Sequence, residues 1–183
     1  LVKRLHDKLD FIDMARGVCH VGHVPYEDVY FSSRYLEGAI LVYLKNLGIV
    51  APNKPPRVVK EDGDKFTGAY VQSPQRGKHD WVFDLDITSM YPSVIMSLNV
   101  SPETKMGKIK GWDVEEFMRG DKKTYTLMIG EKEMGRLTET ELKDFFDNNK
   151  VSVSSNGVLY RSDKKGLIPA LLEKWFDTRV EYR

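Results

Sequence analysis

The chain has 183 residues, 41% of them hydrophobic and 30% charged, which is ordinary for a soluble globular protein. Its net charge of +1 excludes nucleic-acid binding through bulk positive charge, so any such binding must come from local placement. The single cysteine, Cys19, excludes an internal disulfide and fits a reducing, cytoplasmic compartment, and no apolar run approaches the ~18 residues needed to span a membrane.

The first fifty residues are predicted to be helical. Apolar residues recur at three- and four-residue spacing from Leu1, which predicts an amphipathic helix to about Val18. A loop with a short extended piece is predicted over residues 20–33. A second helix is predicted from Arg34 to a stop at Gly48.

The composition and the hydrophobic pattern change in the middle of the chain. Residues 51–66 are proline-rich and then charged, without periodicity, which favours a domain boundary. Strands are predicted over 69–72 and 81–88, and a short helix over 92–98. The charged residues 101–126 give no clear prediction.

The remaining elements are predicted from their boundary residues. Thr138 and Glu141 form a capping box that opens a helix. Asn156-Gly157 predicts a tight turn with positive φ angles between two strands. Pro169 is predicted at the first position of a final helix.

Two acids stand out in the stretch DLDITSMYPS, residues 84–93. Alternate side chains of a strand share a face, which places Asp84 and Asp86 together, roughly 7 Å apart, and Trp81 and Phe83 on the core side. The alternative interpretation is that both are solvated acids on an exposed strand.

The residues after the acids favour an anion site. Pro92 suits the first turn of a helix, so a strand, a tight turn and a helix start lie within ten residues. Free N–H groups and the helix dipole then attract an anion. A carboxylate beside an anion is repulsive unless a cation lies between them, and Mg²⁺ binds carboxylates, phosphate oxygens and water. The pattern therefore favours metal–triphosphate binding.

Residues 86–93, DITSMYPS, resemble the first palm motif of family B DNA polymerases, D-x-x-S-L-Y-P-S, with Met90 where leucine is usual. The continuation NVSPET, residues 99–104, is similar to the segment after this motif in polymerases of tailed bacteriophages. FSSRYLEGA (31–39) and VAPNKP (50–55) resemble the segment between exonuclease and palm in such enzymes. The resemblance covers most of the chain discontinuously.

The resemblance implies roles for the motif. Asp86 would be a catalytic aspartate that binds two Mg²⁺ ions, with the backbone carbonyl of Ile87 as a further ligand. The N–H groups of Ser89, Met90 and Tyr91 would hold the nucleotide triphosphate. Tyr91 would also be the steric gate that excludes a ribose 2′-hydroxyl; the alternative is a hydrophobic staple at the helix start. Asp84 has no counterpart in the family pattern and is interpreted as a surface or supporting acid, with metal contact as the alternative.

Two further motifs are expected to bind. Phe66-Thr-Gly68-Ala69 resembles the Y-x-G-G/A motif that contacts template DNA, with phenylalanine in place of tyrosine; an ordinary glycine at a strand entry is the alternative. In the last helix Arg179 and Arg183 continue the apolar face, and the resemblance implies that this pair grips the triphosphate. The alternative is two arginines extending from the core edge into solvent.

The resemblance also implies an α+β fold, with an antiparallel palm-type sheet and packed helices preceded by exonuclease helices. The expected segments are the exonuclease end over 1–51, a linker over 52–67, the N-terminal palm with an insertion and the hairpin over 68–167, and the start of the fingers helix over 168–183.

The expected function is that of a fragment of a DNA-directed DNA polymerase. The parent enzyme would transfer deoxynucleotides to a primer 3′-end on a template, with dNTP, primer–template DNA, a sliding clamp and replisome proteins as partners, in the cytoplasm of a host cell if viral. Because Leu1 and Arg183 both lie inside predicted helices, and because no D-T-D motif occurs in the sequence, we expect the fragment alone to be inactive.

Rival interpretations are a non-catalytic palm-like module that binds DNA or protein, and a different metal-dependent nucleotidyltransferase. Cys19, His20 and His23 lie close together in sequence, but no second cluster completes a zinc site. The run from Lys105 to Lys110 could touch DNA phosphates, although such short runs are more often solvated loops.

Overall fold

The computed structural model describes residues 1–53 and 69–182. Three α-helices form the first part: α1 (Val2–Leu9), α2 (Phe11–Gly22) and α3 (Ser32–Asn46), with a 3-10 turn at Tyr26–Tyr30 before α3. Helix α2 packs against α3, and α3 in turn contacts the last helix of the chain, α7 (Leu167–Glu181). Helix α3 lies close to the predicted bounds.

The prediction of one helix to Val18 is wrong, because Asp10 interrupts it. Asp10 adopts a left-handed conformation (φ 52°), and its N–H donates to the His6 carbonyl at 2.7 Å, which ends α1. Aspartate tolerates this conformation better than most residues, so the break costs little. In the loop predicted over residues 20–33, the backbone is extended at Pro25 (φ −61°, ψ 154°), and a 3-10 turn follows it before α3.

The strand predictions for residues 69–72 and 81–88 are wrong as well. These residues form coil that belongs to no sheet within the described ranges. The expected core side is uncovered: Trp81 is 95% exposed and Phe83 82% exposed, and Trp81 has a positive φ of 59°. A strand needs partner strands and a covering layer, which β-propensity alone does not supply.

After the coil, α4 (Met90–Leu98) confirms the predicted short helix. A five-stranded antiparallel sheet follows in the order β3-β2-β1-β5-β4. Its strands are β1 (Lys105–Lys110), β2 (Thr124–Ile129), β3 (Lys132–Thr138), β4 (Val151–Val153) and β5 (Val158–Arg161), and helices α5 (Val114–Arg119), α6 (Glu139–Asn149) and α7 complete the chain. The predicted α+β class with an antiparallel sheet is confirmed.

The core lies between the sheet and α6. Ile109, Tyr125, Leu142 and Leu159 are its buried centre. Partly buried aromatic rings surround this centre: Trp112, Phe117, Phe145 and Phe146. Strands β1 and β2 come from residues whose pattern allowed no clear prediction, so packing decided their structure.

The residues predicted to begin helices or form turns lie at or near the boundaries of the observed elements. The capping box is present, with the Glu141 side chain on the Thr138 N–H at 2.8 Å. The predicted hairpin is present between β4 and β5, but only Gly157 has a positive φ (80°), and Ser154 to Gly157 form a four-residue turn. Helix α7 begins at Leu167, so Pro169 lies at its third position and not at its first.

The apolar face predicted for α7 is confirmed, since Leu171 is buried whereas Glu173 and Lys174 are exposed. Among the described residues, no helix has the length and apolar character that crossing a bilayer requires.

Candidate functional site

The stretch that carries the two acids is open to solvent. Asp84 and Asp86 are both exposed, and neither makes an ion pair or a side-chain hydrogen bond with a described residue. They lie in coil that leads directly into α4, so the strand geometry that would put them on one face is not observed. The carboxylate of Asp86 is three residues from the turn before the helix and is free to bind a cation.

The turn at Ser89 redirects the chain into α4. Ser89 has left-handed angles (φ 51°, ψ 49°), which are uncommon for a residue with a side chain. The Ser93 hydroxyl donates to the Thr88 carbonyl at 3.2 Å, and the Ser93 N–H donates to the Ser89 carbonyl at 3.0 Å. Ser93 therefore anchors the turn, a role that residue types and spacing did not predict.

The N-terminus of α4 has unsatisfied donors. No side chain caps the helix, and no described residue accepts a hydrogen bond from the backbone N–H groups of Ser89, Met90 or Tyr91. Such donors and the helix dipole together attract anions, including phosphate groups. The Tyr91 side chain lies at the same end and is 71% exposed.

Helix α7 packs against α4 and carries an exposed cation, Arg179, in its last turns. The C-terminus of α4 meets the N-terminus of α7, where the Asn99 side chain accepts from the Gly166 N–H at 2.8 Å, and the two helices pack against each other. At about 1.5 Å per residue, Met90 lies about 14 Å and Arg179 about 20 Å from that junction. Arg179 is exposed and has no ion-pair partner among the described residues. Arg183 lies outside them.

The ligands available beside the turn are all oxygen atoms. They are the Asp86 carboxylate and the neighbouring Ile87 carbonyl. Oxygen donors with few protein ligands suit Mg²⁺, which keeps much of its shell for water and phosphate. The donor chemistry of the turn therefore fits this metal.

Comparison with known proteins identifies the family. A model of DNA polymerase family B matches residues 29–183. The chain belongs to the family B DNA polymerases.

Similar curated proteins agree with this family B membership. The chain is 24% identical over 182 residues to the DNA-directed DNA polymerase of Escherichia phage RB69, covering all of this chain and 17% of that protein. It is 26% identical over 173 residues to the DNA-directed DNA polymerase of Enterobacteria phage T4, covering 94% of this chain and 16% of that protein. The DNA polymerase of Archaeoglobus fulgidus is 37% identical over 83 residues, covering 44% of this chain and 10% of that protein.

The chain spans only about a sixth of the length of the two phage polymerases. The family match begins at residue 29, inside the range predicted for the exonuclease end. The four predicted segments remain predictions.

The motif Phe66-Thr-Gly68-Ala69, which was predicted to contact template DNA, falls mostly outside the described ranges. Phe66 and Gly68 lie outside the described residues, and Ala69 is exposed in coil. The predicted contact of this motif with template DNA stays a prediction.

The disfavoured zinc cluster does not form a group of ligands within the described residues. Cys19 is buried, whereas His20 and His23 are exposed. The side chains that could share a metal in the described ranges are His6, Asp10 and Asp13, whose ligand atoms lie within 4.8 Å of one another. They surround the α1–α2 break, and Asp13 also pairs with Arg16 at 3.7 Å.

A cleft of about 850 Å³ lies away from the acids, between the end of α3 and the start of α7. Its lining is mainly apolar, with Ile40, Tyr43 and Leu47 on the α3 side. The acid, the free N–H groups and the tyrosine of the motif therefore lie at an open turn and not in this cleft.

A group of buried polar residues in NVSPET was not predicted. Asn99, Ser101 and Thr104 are all buried, and Glu103 binds the first turn of α7. Burial acts to raise the pKa of Glu103, but hydrogen bonds from the Leu167 N–H and the Ser101 hydroxyl outweigh it, so this pKa lies below its usual value. An Asn at a helix C-terminus followed by Ser-x-Glu-Thr was the available signal.

Proposed function

We propose that the chain belongs to an enzyme that adds deoxynucleotides to a primer 3′-end under the direction of a DNA template. The observation that carries this proposal is the open N-terminus of α4, with its free N–H groups, three residues after the exposed Asp86. Family membership supplies the polymerase chemistry, and the relatives named above are DNA polymerases.

The nucleotide triphosphate would bind at the start of α4. The N–H groups of Ser89, Met90 and Tyr91 have no acceptor among the described residues, so phosphate oxygens can take that place without displacing another bond. Arg179 would neutralise charge from the side of α7, and Arg183 would extend the same face.

The Asp86 carboxylate and the Ile87 carbonyl would hold Mg²⁺, in agreement with their all-oxygen donor chemistry. When bound, two such ions would lower the pKa of the primer hydroxyl and neutralise the leaving pyrophosphate. Asp86 itself contributes a fixed negative charge, held close to the turn because Ser93 anchors the backbone at Thr88. Asp84 would remain a solvated acid.

Tyr91 would select the sugar. Its ring is exposed at the same helix end as the free N–H groups, so a bound nucleotide would place its sugar against this ring. A ring in that place leaves no room for a 2′-hydroxyl, which distinguishes deoxynucleotides from ribonucleotides.

The wider organisation is also part of the proposal. Residues 1–51 would end an exonuclease domain, 52–67 would link it to the palm, 68–167 would form palm with an insertion, and 168–183 would begin the fingers. Primer–template DNA would contact Phe66, Gly68 and Ala69, and a sliding clamp would act on the whole enzyme. The chain by itself would not catalyse synthesis, because no D-T-D motif with a second aspartate occurs in it.

The test compares two neighbouring acids in the full-length protein. Asp86→Asn should lower primer extension about a thousandfold, since a metal-binding carboxylate contributes several kcal/mol of charge stabilisation. Asp84→Asn is the matched control, because it removes the same charge from the same exposed coil, and it should change the rate less than about threefold. Equal effects of the two variants, or normal synthesis by Asp86→Asn, would contradict the assignment. A lack of synthesis by the unsubstituted full-length protein would favour the non-catalytic binding module.

A further inference from the structure

The turn NVSPET, residues 99–104, joins the end of α4 to the start of α7 through side chains. Asn99 ends α4 in a left-handed conformation (φ 56°) and is 7% exposed. Its amide nitrogen donates to the carbonyls of Arg161 at 2.7 Å and Lys164 at 2.9 Å, and its amide oxygen accepts from the Gly166 N–H at 2.8 Å. One side chain therefore satisfies three backbone groups of the segment that leads into α7.

Buried hydroxyl groups hold the turn itself in shape. The Thr104 hydroxyl donates to the Asn99 carbonyl at 2.6 Å and accepts from the Ser101 N–H at 3.0 Å. Thr104 is 3% exposed and Ser101 2% exposed. Because groups buried this deeply lose water, leaving any of them unpaired would be costly, and the turn has little freedom to change.

The same turn caps α7 from a distance. The N-cap residue of α7 is Gly166, which has no side chain, and no local side chain caps the helix. Instead Glu103 accepts from the Leu167 N–H at 2.5 Å. The Ser101 hydroxyl donates to the other Glu103 oxygen at 2.7 Å and accepts from the Ile168 N–H at 3.3 Å. A carboxylate at this position also interacts favourably with the helix dipole.

Close packing at Gly166 leaves no room for a side chain at this position of the junction. A Cβ atom there would lie 2.8 Å from the Ser101 Cβ and 3.0 Å from the Thr104 Cγ2. The φ of Gly166 is an ordinary −72°, so the glycine is required by the approach of the turn and not by its backbone angles. The turn and the start of α7 therefore form one rigid junction.

We propose that Asn99 and Glu103 are positioning residues that set the direction of α7 relative to α4, and so place Arg179 beside the free N–H groups of Met90 and Tyr91. This inference rests on the proposed function, in which Arg179 and those N–H groups bind the same triphosphate. A small change in the direction of α7 produces a large displacement at its far end. Arg179 lies about 20 Å from the junction, so a rotation of α7 by about 10° moves Arg179 by about 3 Å. Displacements of that size are enough to lose an oriented contact with a reacting group.

The first measurement tests the junction without any nucleotide. Glu103→Gln removes the charge and one of the two acceptor oxygens, so hydrogen exchange at the Leu167 and Ile168 amides should accelerate about fivefold, the usual effect of losing an N-cap. Glu131→Gln is the matched control, because Glu131 is exposed in the turn between β2 and β3. Ser101→Ala provides a second route to the same loss if Glu103→Gln fails to fold.

The second measurement uses the full-length protein in a double-mutant cycle with Arg179. Glu103→Gln should raise KM for dNTP about fivefold with little change in kcat, because the primer hydroxyl and its surroundings are untouched. In an Arg179→Ala background the same substitution should have no further effect on KM, while its effect on hydrogen exchange persists. A purely structural role would lower activity equally in both backgrounds.

The outcomes separate this inference from the function on which it rests. If Arg179→Ala alone leaves KM for dNTP unchanged, the assigned role of Arg179 fails and the positioning role fails with it. If Arg179→Ala raises KM but the effects of the two substitutions multiply, Glu103 does not act through Arg179 and only the positioning role is overturned. Unchanged exchange at Leu167 and Ile168 in both Glu103→Gln and Ser101→Ala would overturn the junction itself.

Discussion

The motif segment, residues 81–93, and the sheet region, residues 105–161, differ in the burial of their apolar side chains and in the motifs they carry. The motif segment holds Asp86 and Tyr91, yet its large apolar side chains are exposed: Trp81, Phe83, Leu85 and Ile87. The sheet and α6, which packs on it, carry no recognisable motif, yet they enclose the buried core of Ile109, Tyr125, Leu142 and Leu159. The proposed site and the buried core are therefore located in separate parts of this chain, and we expect a substitution in one to leave the other largely intact.

One leucine in each region tests this separation most strongly. Leu142→Ala should destabilise the fold by about 3 kcal/mol, because it leaves a cavity in a fully buried site. Leu85→Ala, at a side chain that is 87% exposed, should change the free energy of unfolding by less than about 0.5 kcal/mol. Urea denaturation followed by circular dichroism measures both. Equal losses would mean that residues 81–88 are covered in solution.

A smaller change is expected for a tyrosine of the motif segment. If Tyr91 is the proposed steric gate, Tyr91→Ala in the full-length protein should raise ribonucleotide incorporation relative to deoxynucleotide incorporation about tenfold or more, because the ring that would exclude the 2′-hydroxyl is lost. Tyr91→Phe keeps the ring and should retain selectivity. Incorporation ratios from primer extension decide this, and indifference of the unsubstituted protein to the sugar would contradict the gate.

Tyr125 is the tyrosine of the sheet that we compare with Tyr91 of the motif segment, and the test substitution is Tyr125→Phe. The Tyr125 hydroxyl is buried without a hydrogen-bond partner among the described residues, and burial, followed by the charges of Glu139, Glu116 and Asp121, raises its pKa. Removing an unpaired buried hydroxyl should leave stability unchanged or raise it by up to about 1 kcal/mol. Thermal unfolding measures the shift, and a loss above about 1 kcal/mol would reveal a missing partner of this hydroxyl.

The weakest response is expected from pH at the junction between α4 and α7. The pKa of Glu103 in the folded chain lies below its ordinary value of 4.5. The contribution of this group is therefore fully present well above pH 4.5 and is lost as the pH falls through the lower, folded pKa. Unfolding measured across this range should show a shallower decline for Glu103→Gln than for the unsubstituted chain, and identical slopes would remove Glu103 from the acid response.

Local signals in the sequence predicted local structure well. The capping box at Thr138, the stop near Gly48 and the apolar face of α7 all hold, because each depends on residues within a turn or two of one another. The left-handed Asp10 and Ser89 were not predicted, since αL angles at residues other than glycine follow from the surrounding chain as much as from residue type.

Nonlocal structure was harder to predict. Residues 81–88 have strong β-propensity but no partner strand among the described residues. The charged residues 101–126 supply β1 and the first half of β2, because neighbouring strands pair with them and the core covers them. The candidate site follows the same division. Asp86, Tyr91 and the helix start could be selected from residue types and spacing, but no pattern in the sequence connected Glu103 with Leu167.

Side-chain type and short spacing were enough to find the family motif and the helix after it, and the resemblance carried by that motif implied the α+β class and the candidate site residues. The folded chain alone showed which segments pair, which apolar residues are buried, and that NVSPET holds the start of α7, which lies 64 to 67 positions later in the sequence. Burial and buried polar contacts join residues far apart in the chain, and their strength depends on excluding water from both partners at once.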